Sequence, residues 1–448
     1  MVGVVRGTTA VFIIFPETKV IPARYVGMKG VDLIITRVKA WCDNVKEVLF
    51  RIRRDSALAD RYLAYAVAAS LFLPGSVSGV AIVLAAFYVM VDYRRREIVF
   101  QAPFMKLLFG FFVLSFFVAA GYKNYMGMVM TLMLMAMLVY GMYLRCTVER
   151  RVFNRMLDIV CVMSIFAVLV AVVQKAAVFA VNPNYRPVSF FTNANYFGTM
   201  IEFTVMVVLY RAFTNRQFGP LYVAVLGINL IGMYLCSSMS ALGAMSVGVV
   251  AFLLYKRQYK YSGFYVAALL LFFYANHFLP GLFPRVEAIS STTDQRLSIW
   301  HGALIGISQT PILGRGLRAY SMIYDSVGTY ATYHCHNLYL DCLLNFGIVG
   351  CTVFVLFGLY YLRDVVRQIR VRSASNAALL FLAVLTVTLV HGFTDVTVSW
   401  TQTGMLFLIA FSATGLRSAQ KEPTHAALLS KYGYFVQPEL SVGYLLKE

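Results

Sequence analysis

The sequence predicts an all-α integral membrane protein: about twelve transmembrane helices, with a large extracytoplasmic loop between spans nine and ten that contains short helices. Three observations carry that expectation. Of 448 residues, 60% are hydrophobic and 13% charged, against roughly half and a quarter in a soluble domain. Mean hydropathy is +0.71. Apolar runs near bilayer length recur from residue 57 to 416, where a span needs about 20 residues. A soluble enzyme, a disordered chain and a disulfide-stapled secreted module are all excluded.

The elements follow in order. Residues 1–56 form a cytoplasmic or interfacial segment, in which 31–54 mix apolar and basic residues at helical spacing. That stretch reads either as an amphipathic helix on an anionic leaflet or as a plain tail. No signal-peptide pattern opens the chain, so insertion is expected to begin at the first span. Helices 1–9 fill 57–280, at 57–74, 77–93, 104–121, 125–144, 156–174, 195–211, 219–236, 240–255 and 262–280. Residues 281–336 form the extracytoplasmic loop, helices 10–12 occupy 337–416, at 337–362, 376–391 and 400–416, and 417–448 are a cytoplasmic tail. Alternating sides along this plan puts 32 of the 39 Lys and Arg on one face. An excess of that kind marks the cytoplasmic side and places both termini there. The net charge of +19 is therefore topology, and no nucleic-acid partner is expected. The seven cysteines, at 42, 146, 161, 236, 335, 342 and 351, form no CxxC pair. They suggest neither a disulfide framework nor a Cys-based metal site. No internal repeat is visible.

The loop carries the chemistry. Leu297, Trp300, Leu304 and Ile307 recur at helical steps within 294–308; Thr292, Thr293 or Asp294 stands where a cap belongs, and Pro311 and a Gly314-Arg-Gly316 turn follow. His334-Cys-His-Asn337 precedes the tenth span. Either imidazole can exchange a proton near neutrality, and each can equally be an interfacial histidine bonded to loop carbonyls. As a zinc site the pair lacks a carboxylate or third His at ligand spacing, so no metal and no other cofactor is expected. Arg186, Arg285, Arg296, Arg315 and Arg318 gather on the side that topology disfavours for cations. A guanidinium is a fixed fork for phosphate; headgroup contact or snorkelling is the competing reading. Asn193 and Asn195 open the sixth span, and Glu202 lies two turns inside it, where a carboxylate faces a polar cavity or pairs with a neighbouring helix. Asp341, His391 and Asp395 read as structural.

Three blocks resemble the superfamily of O-antigen ligases and Wzy-type O-antigen polymerases, bacterial polytopic membrane glycosyltransferases. Arg296-x3-Trp300 leading to Pro311-x2-Gly314-x-Gly316 is similar to the family's R-x3-W…P-x2-G-x-G pattern. His334-x-His336-Asn337-x2-Leu340…Gly347-x2-Gly350 is similar to its H-x-H-N-x2-L…G-x2-G signature, and Thr192-Asn-Ala-Asn195 to its N-x-N element. The blocks cover about 186–350, and the span layout agrees over about 57–416. One departure stands out: the family's Ser-Arg element between spans seven and eight is Ser237-Ser-Met-Ser-Ala241 here, with Met239 or Ser240 near the absent arginine.

The resemblance implies transfer of a glycan from an undecaprenyl-diphosphate carrier to a hydroxyl acceptor, a glycolipid core or other glycan, at the outer face of a bacterial inner membrane. It implies no metal, with His336 or His334 as general base. Arg296, Arg315, Arg318 and Arg186 are expected around the diphosphate, with Asn195, Trp300, Asn337 and Glu202 completing the substrate site. Ligase and polymerase stay open as alternatives, and a lipid-linked glycan transporter is the reading from another class.

Overall fold

The computed structural model describes residues 38–39, 55–279, 289–370 and 375–416. The chain divides into two units, Met1–Ser56 and Ala57–Glu448. The expected amphipathic stretch 31–54, the tail and Arg285 lie outside the described residues, apart from 38–39.

Among the described residues the secondary structure is helical throughout. The helices are α1 (Ser56–Ser70), α2 (Gly75–Val91), α3 (Tyr93–Phe100), α4 (Met105–Gly121), α5 (Tyr125–Thr147), α6 (Arg150–Val178) and α7 (Ala194–Thr214). They continue as α8 (Gly219–Cys236), α9 (Met239–Tyr255), α10 (Tyr259–Phe278), α11 (Ile289–Gln309), α12 (Leu338–Arg370), α13 (Ser375–His391) and α14 (Thr401–Ser412). Each of the twelve expected apolar stretches falls on a helix, but five are long and apolar enough to cross a bilayer alone. A sixth is counted if α2 and α3, bent by 99°, act as one span. Several of the others are only 15–17 residues long, or ~25 Å at the α-helical rise, short of a ~30 Å hydrocarbon core.

Helix α7 is the axis of the fold. It is buried nearly all round and packs against α6, α8, α9, α13 and α14. Small residues let the backbones approach: a Cβ at Gly198 would press on Ser238 and Ala241, the usual device where lipid removes the hydrophobic drive between helices. The outward sides of α2, α6 and α10 stay apolar and exposed, as at Phe87, Val173 and Phe264.

Helix α11 begins five residues before Asp294, so Thr292, Thr293 and Asp294 lie inside the helix and do not cap it. Its buried face also differs from the expected stripe. Ile299, Gly302, Ala303 and Gly306 turn inward, while Leu297 and Leu304 are more than half exposed. The glycines decide this, because the missing side chains at Gly302 and Gly306 let α11 settle on Ile323, Val327, Thr329 and Leu344. Trp300 and Ile307 flank the small core that results, made of Ile299, Ala303, Ala319, Tyr320, Ile323, Cys335 and Leu344.

Helix α12 breaks at Gly347 (φ 62°, ψ −170°), a conformation open to glycine alone. A Cβ there would collide with the Ile312 carbonyl. The backbone groups freed by the break are paired with the loop. Ile348 N–H donates to Pro311 O (2.8 Å) and Val349 N–H to Ile312 O (3.1 Å); Arg315 N–H donates to Leu344 O (3.2 Å) and Gly316 N–H to Asn345 O (2.8 Å). The Pro311–Gly316 turn and the Gly347–Gly350 stretch, 30 residues apart in the chain, thus interlock as one unit.

Candidate active site

Three remote segments meet at one pocket. It is lined by Asn193, Asn195, Tyr196 and Thr199 at the start of α7, by His334 and His336 before α12, and by Asp395, Val396 and Trp400 between α13 and α14. Its empty space, open mouth included, is about 290 Å³.

The histidines reach the pocket because Cys335 does not. Cys335 is fully buried in the small core, and its N–H donates to Asp341 Oδ1 (3.0 Å). Asp341 Oδ2 in turn accepts from Asn345 (2.6 Å), whose Oδ1 takes the Ala319 N–H (3.1 Å). With the middle residue anchored inward, the two imidazoles stand together on the other side, ring centroids 4.3 Å apart. His334 meets the edge of Trp400 at 5.4 Å. His336 is held in a left-handed conformation (φ 47°), a strain that persists only where the surroundings impose it.

The hydrogen bonds separate the two imidazoles. The backbone N–H of His336 donates to His334 Nδ1 (3.2 Å), so that nitrogen carries a lone pair and neutral His334 bears its proton on Nε2. Asp395 Oδ1 lies 3.5 Å from His336 Nδ1 and 3.7 Å from His334 Nδ1. Burial lowers the pKa of His334, with the neighbouring His336 and Arg318 adding to the effect and Asp395 opposing it. Burial works against an ionised Asp395, but the contact with His336 and the charge on the three nearby histidines outweigh it and hold the carboxyl well below its ordinary range. The site at neutral pH is a carboxylate facing a neutral His334 and the Nδ1 edge of His336.

The other expected residues fall into distinct places. Asn195 lines the pocket, and its Oδ1 accepts from Arg186 Nη2 (2.6 Å) while Arg186 Nε donates to the Cys236 carbonyl at the end of α8 (2.7 Å). Arg186 therefore stands behind Asn195. Arg318 lies 4.1 Å over the Tyr333 ring and acts electrostatically on His334. Arg296 donates to Ser240 Oγ (3.2 Å), so this arginine from α11 touches one of the two positions near which this chain lacks the arginine of the resembled pattern. Arg315 donates to Gln309 (2.6 Å) near the Tyr122 ring, away from the pocket lining. Trp300 packs on the small core. Asn337 caps α12, accepting from Tyr339 and Leu340 N–H (both 3.0 Å) and donating to Phe393 O (3.2 Å). Glu202 is fully buried, bonded to His391 Nδ1 at 2.8 Å, outside the pocket lining.

Asp395 is the residue that sequence reasoning undervalued. It follows the histidines before α12 by some 60 positions, and its one signal was to be an acid in a stretch, 392–399, without Lys or Arg. Its arrival also removes the argument from ligand spacing against a metal. Among the described residues, His334, His336 and Asp395 form the one group with a ligand atom from each member within 4.8 Å of the others. Three donors suit an open catalytic metal site, although the bond from His336 N–H already occupies His334 Nδ1.

Against known families, residues 222–355 match the Wzy_C model, described as O-antigen ligase. That stretch is similar to the O-antigen ligase family. The match runs from α8 to the first turns of α12 beyond its break, so it contains both histidines and the interlocked turn. The Asn195 and Asp395 segments of the pocket lie on either side of the matched residues. No curated protein matches the chain.

Proposed function

We propose that this membrane protein is a glycosyltransferase of the ligase type. It moves a glycan from an undecaprenyl-diphosphate carrier to a hydroxyl acceptor at the outer face of a bacterial inner membrane, with both termini cytoplasmic. The observation that carries the reading is the asymmetry of the two imidazoles. His334 Nδ1 is occupied by the backbone of His336, while His336 turns its own Nδ1 towards the Asp395 carboxylate.

That arrangement makes His336 the base. Asp395 keeps the His336 proton on Nδ1, which leaves Nε2 with a lone pair; the 3.5 Å separation is of the kind that tightens when substrate arrives. The acceptor hydroxyl gives its proton to Nε2 as its oxygen bonds the sugar's anomeric carbon. The bond from that carbon to the carrier's phosphate oxygen breaks, and its electrons leave with the diphosphate. Arg318 and Arg296 provide fixed positive charge beside this site for the leaving group, and Arg186 acts through Asn195. An acceptor that is itself carrier-linked gives the polymerase; the same residues serve both.

The test is His336→Ala in purified, reconstituted protein, with donor and acceptor supplied. A fall of about 10²–10⁴-fold, with the melting temperature preserved and wild-type activity surviving EDTA, is expected. Normal turnover in the variant would remove the base. Loss in EDTA with recovery on adding a divalent cation would make His334, His336 and Asp395 metal ligands instead.

A further inference from the structure

The break in α12 creates a second feature, separate from the pocket. Cys342 and Cys351 are nine residues apart on one helix. In an unbroken α-helix that spacing separates two residues by ~13.5 Å along the axis and half a turn around it, so their side chains point in opposite directions. Here the two sulfurs are 3.0 Å apart. The left-handed backbone at Gly347 alone brings them together, and the four hydrogen bonds to Pro311–Gly316 hold that backbone in place. Both cysteines are partly exposed, whereas Cys161, Cys236 and Cys335 are buried.

We propose that Cys342 and Cys351 form a redox-active dithiol that takes a thiol–disulfide oxidant and closes to a disulfide across the break. The step balances as two exchanges. One cysteine thiolate attacks a sulfur of the oxidant's disulfide and expels a thiolate; the second cysteine then attacks the mixed disulfide and expels the other. The protein loses two electrons and two protons, and the oxidant leaves as two thiols. The bond would pin the short arm 338–346, which carries Asp341 and Asn345 and through them Cys335, to the long arm that runs to Arg370. An oxidising compartment on this side follows from the topology proposed above; the proximity of the sulfurs does not depend on it.

The experiment uses the purified full chain in detergent with glutathione disulfide as oxidant. Protein is reduced, exposed to about one equivalent of oxidant, blocked with iodoacetamide, and mapped by mass spectrometry. A peptide linking Cys342 to Cys351 should exceed every other cystine or glutathione adduct, two thiols should disappear together, and Cys342→Ser should abolish the link while leaving Cys351 open to alkylation. Independent alkylation of both cysteines after oxidant, or links dominated by Cys42 or Cys146, would overturn the proposal. Alkylating intact cells before lysis reads the other question: a pair that closes in detergent but is fully reduced in cells would overturn the outward placement and leave the dithiol standing.

Discussion

Two polar clusters in this protein use the same residue types to opposite ends. Outside the pocket lining, Asp60 is saturated: Arg95 Nε donates to Oδ1 (3.2 Å) and the Tyr143 hydroxyl to Oδ2 (2.8 Å), with Tyr88 stacked on the guanidinium at 4.2 Å. Asp158 is treated alike by Arg211 (2.6 and 3.1 Å) and Tyr222 (2.7 Å). At the pocket, Asp395 instead stops 3.5 and 3.7 Å short of two imidazoles, and among the described residues its Oδ1 takes only the adjacent Val396 N–H (2.8 Å) within hydrogen-bond range. A carboxylate fully paired with a fixed cation is committed to holding helices together. One left beside titratable groups and an open cavity retains capacity for a proton or a substrate. Distance and partner type separate scaffold from site here, not charge or depth.

The sharpest way to break that comparison is Asp395→Asn. The change preserves shape but removes the charge that orients His336, so turnover should fall about 10²–10⁴-fold while the melting temperature holds. Full activity would make Asp395 another structural acid. The converse is Asp60→Ala, which takes one carboxylate from Arg95, only 5% exposed at its side chain, and leaves it Asp92 at 3.3 Å. Breaking a buried pair costs at most about 3–5 kcal/mol, and less where a second carboxylate remains, so denaturation in detergent should come earlier, while turnover per folded molecule is unchanged. A loss of turnover without loss of stability would erase the distinction between the clusters. The smallest effect concerns pH. His334 has a lowered pKa in the fold, so below about 6.5 the unfolded chain binds a proton that the folded chain refuses, and stability declines as the pH drops. His334→Gln should flatten the slope of melting temperature between pH 5 and 7; an unaltered slope would mean that His334 titrates freely.

The sequence settled the helical membrane class, because no soluble surface can be built from so few charges, and it located the apolar helices. Leu338–Arg370 nevertheless runs eight residues past its expected end, and Arg150–Val178 starts six residues early. It also singled out His334, His336 and Asn195, whose local patterns survive folding intact. Asn337, expected as a substrate ligand, also does what a residue just before a helix commonly does: its Oδ1 caps the backbone N–H groups of α12. Other matters were closed to one-dimensional reading. The buried stripe of α11 depends on where a partner surface lies, so glycines at 302 and 306 outweighed Leu297 and Leu304. The pairing of Arg296 with Ser240, of Asp395 with the histidines, and of Cys342 with Cys351 each joins positions whose separation in the chain says nothing of their separation in space. Only packing around α7 and the left-handed break at Gly347 bring them together, because contact is set by where backbones can approach and side-chain identity alone does not encode that.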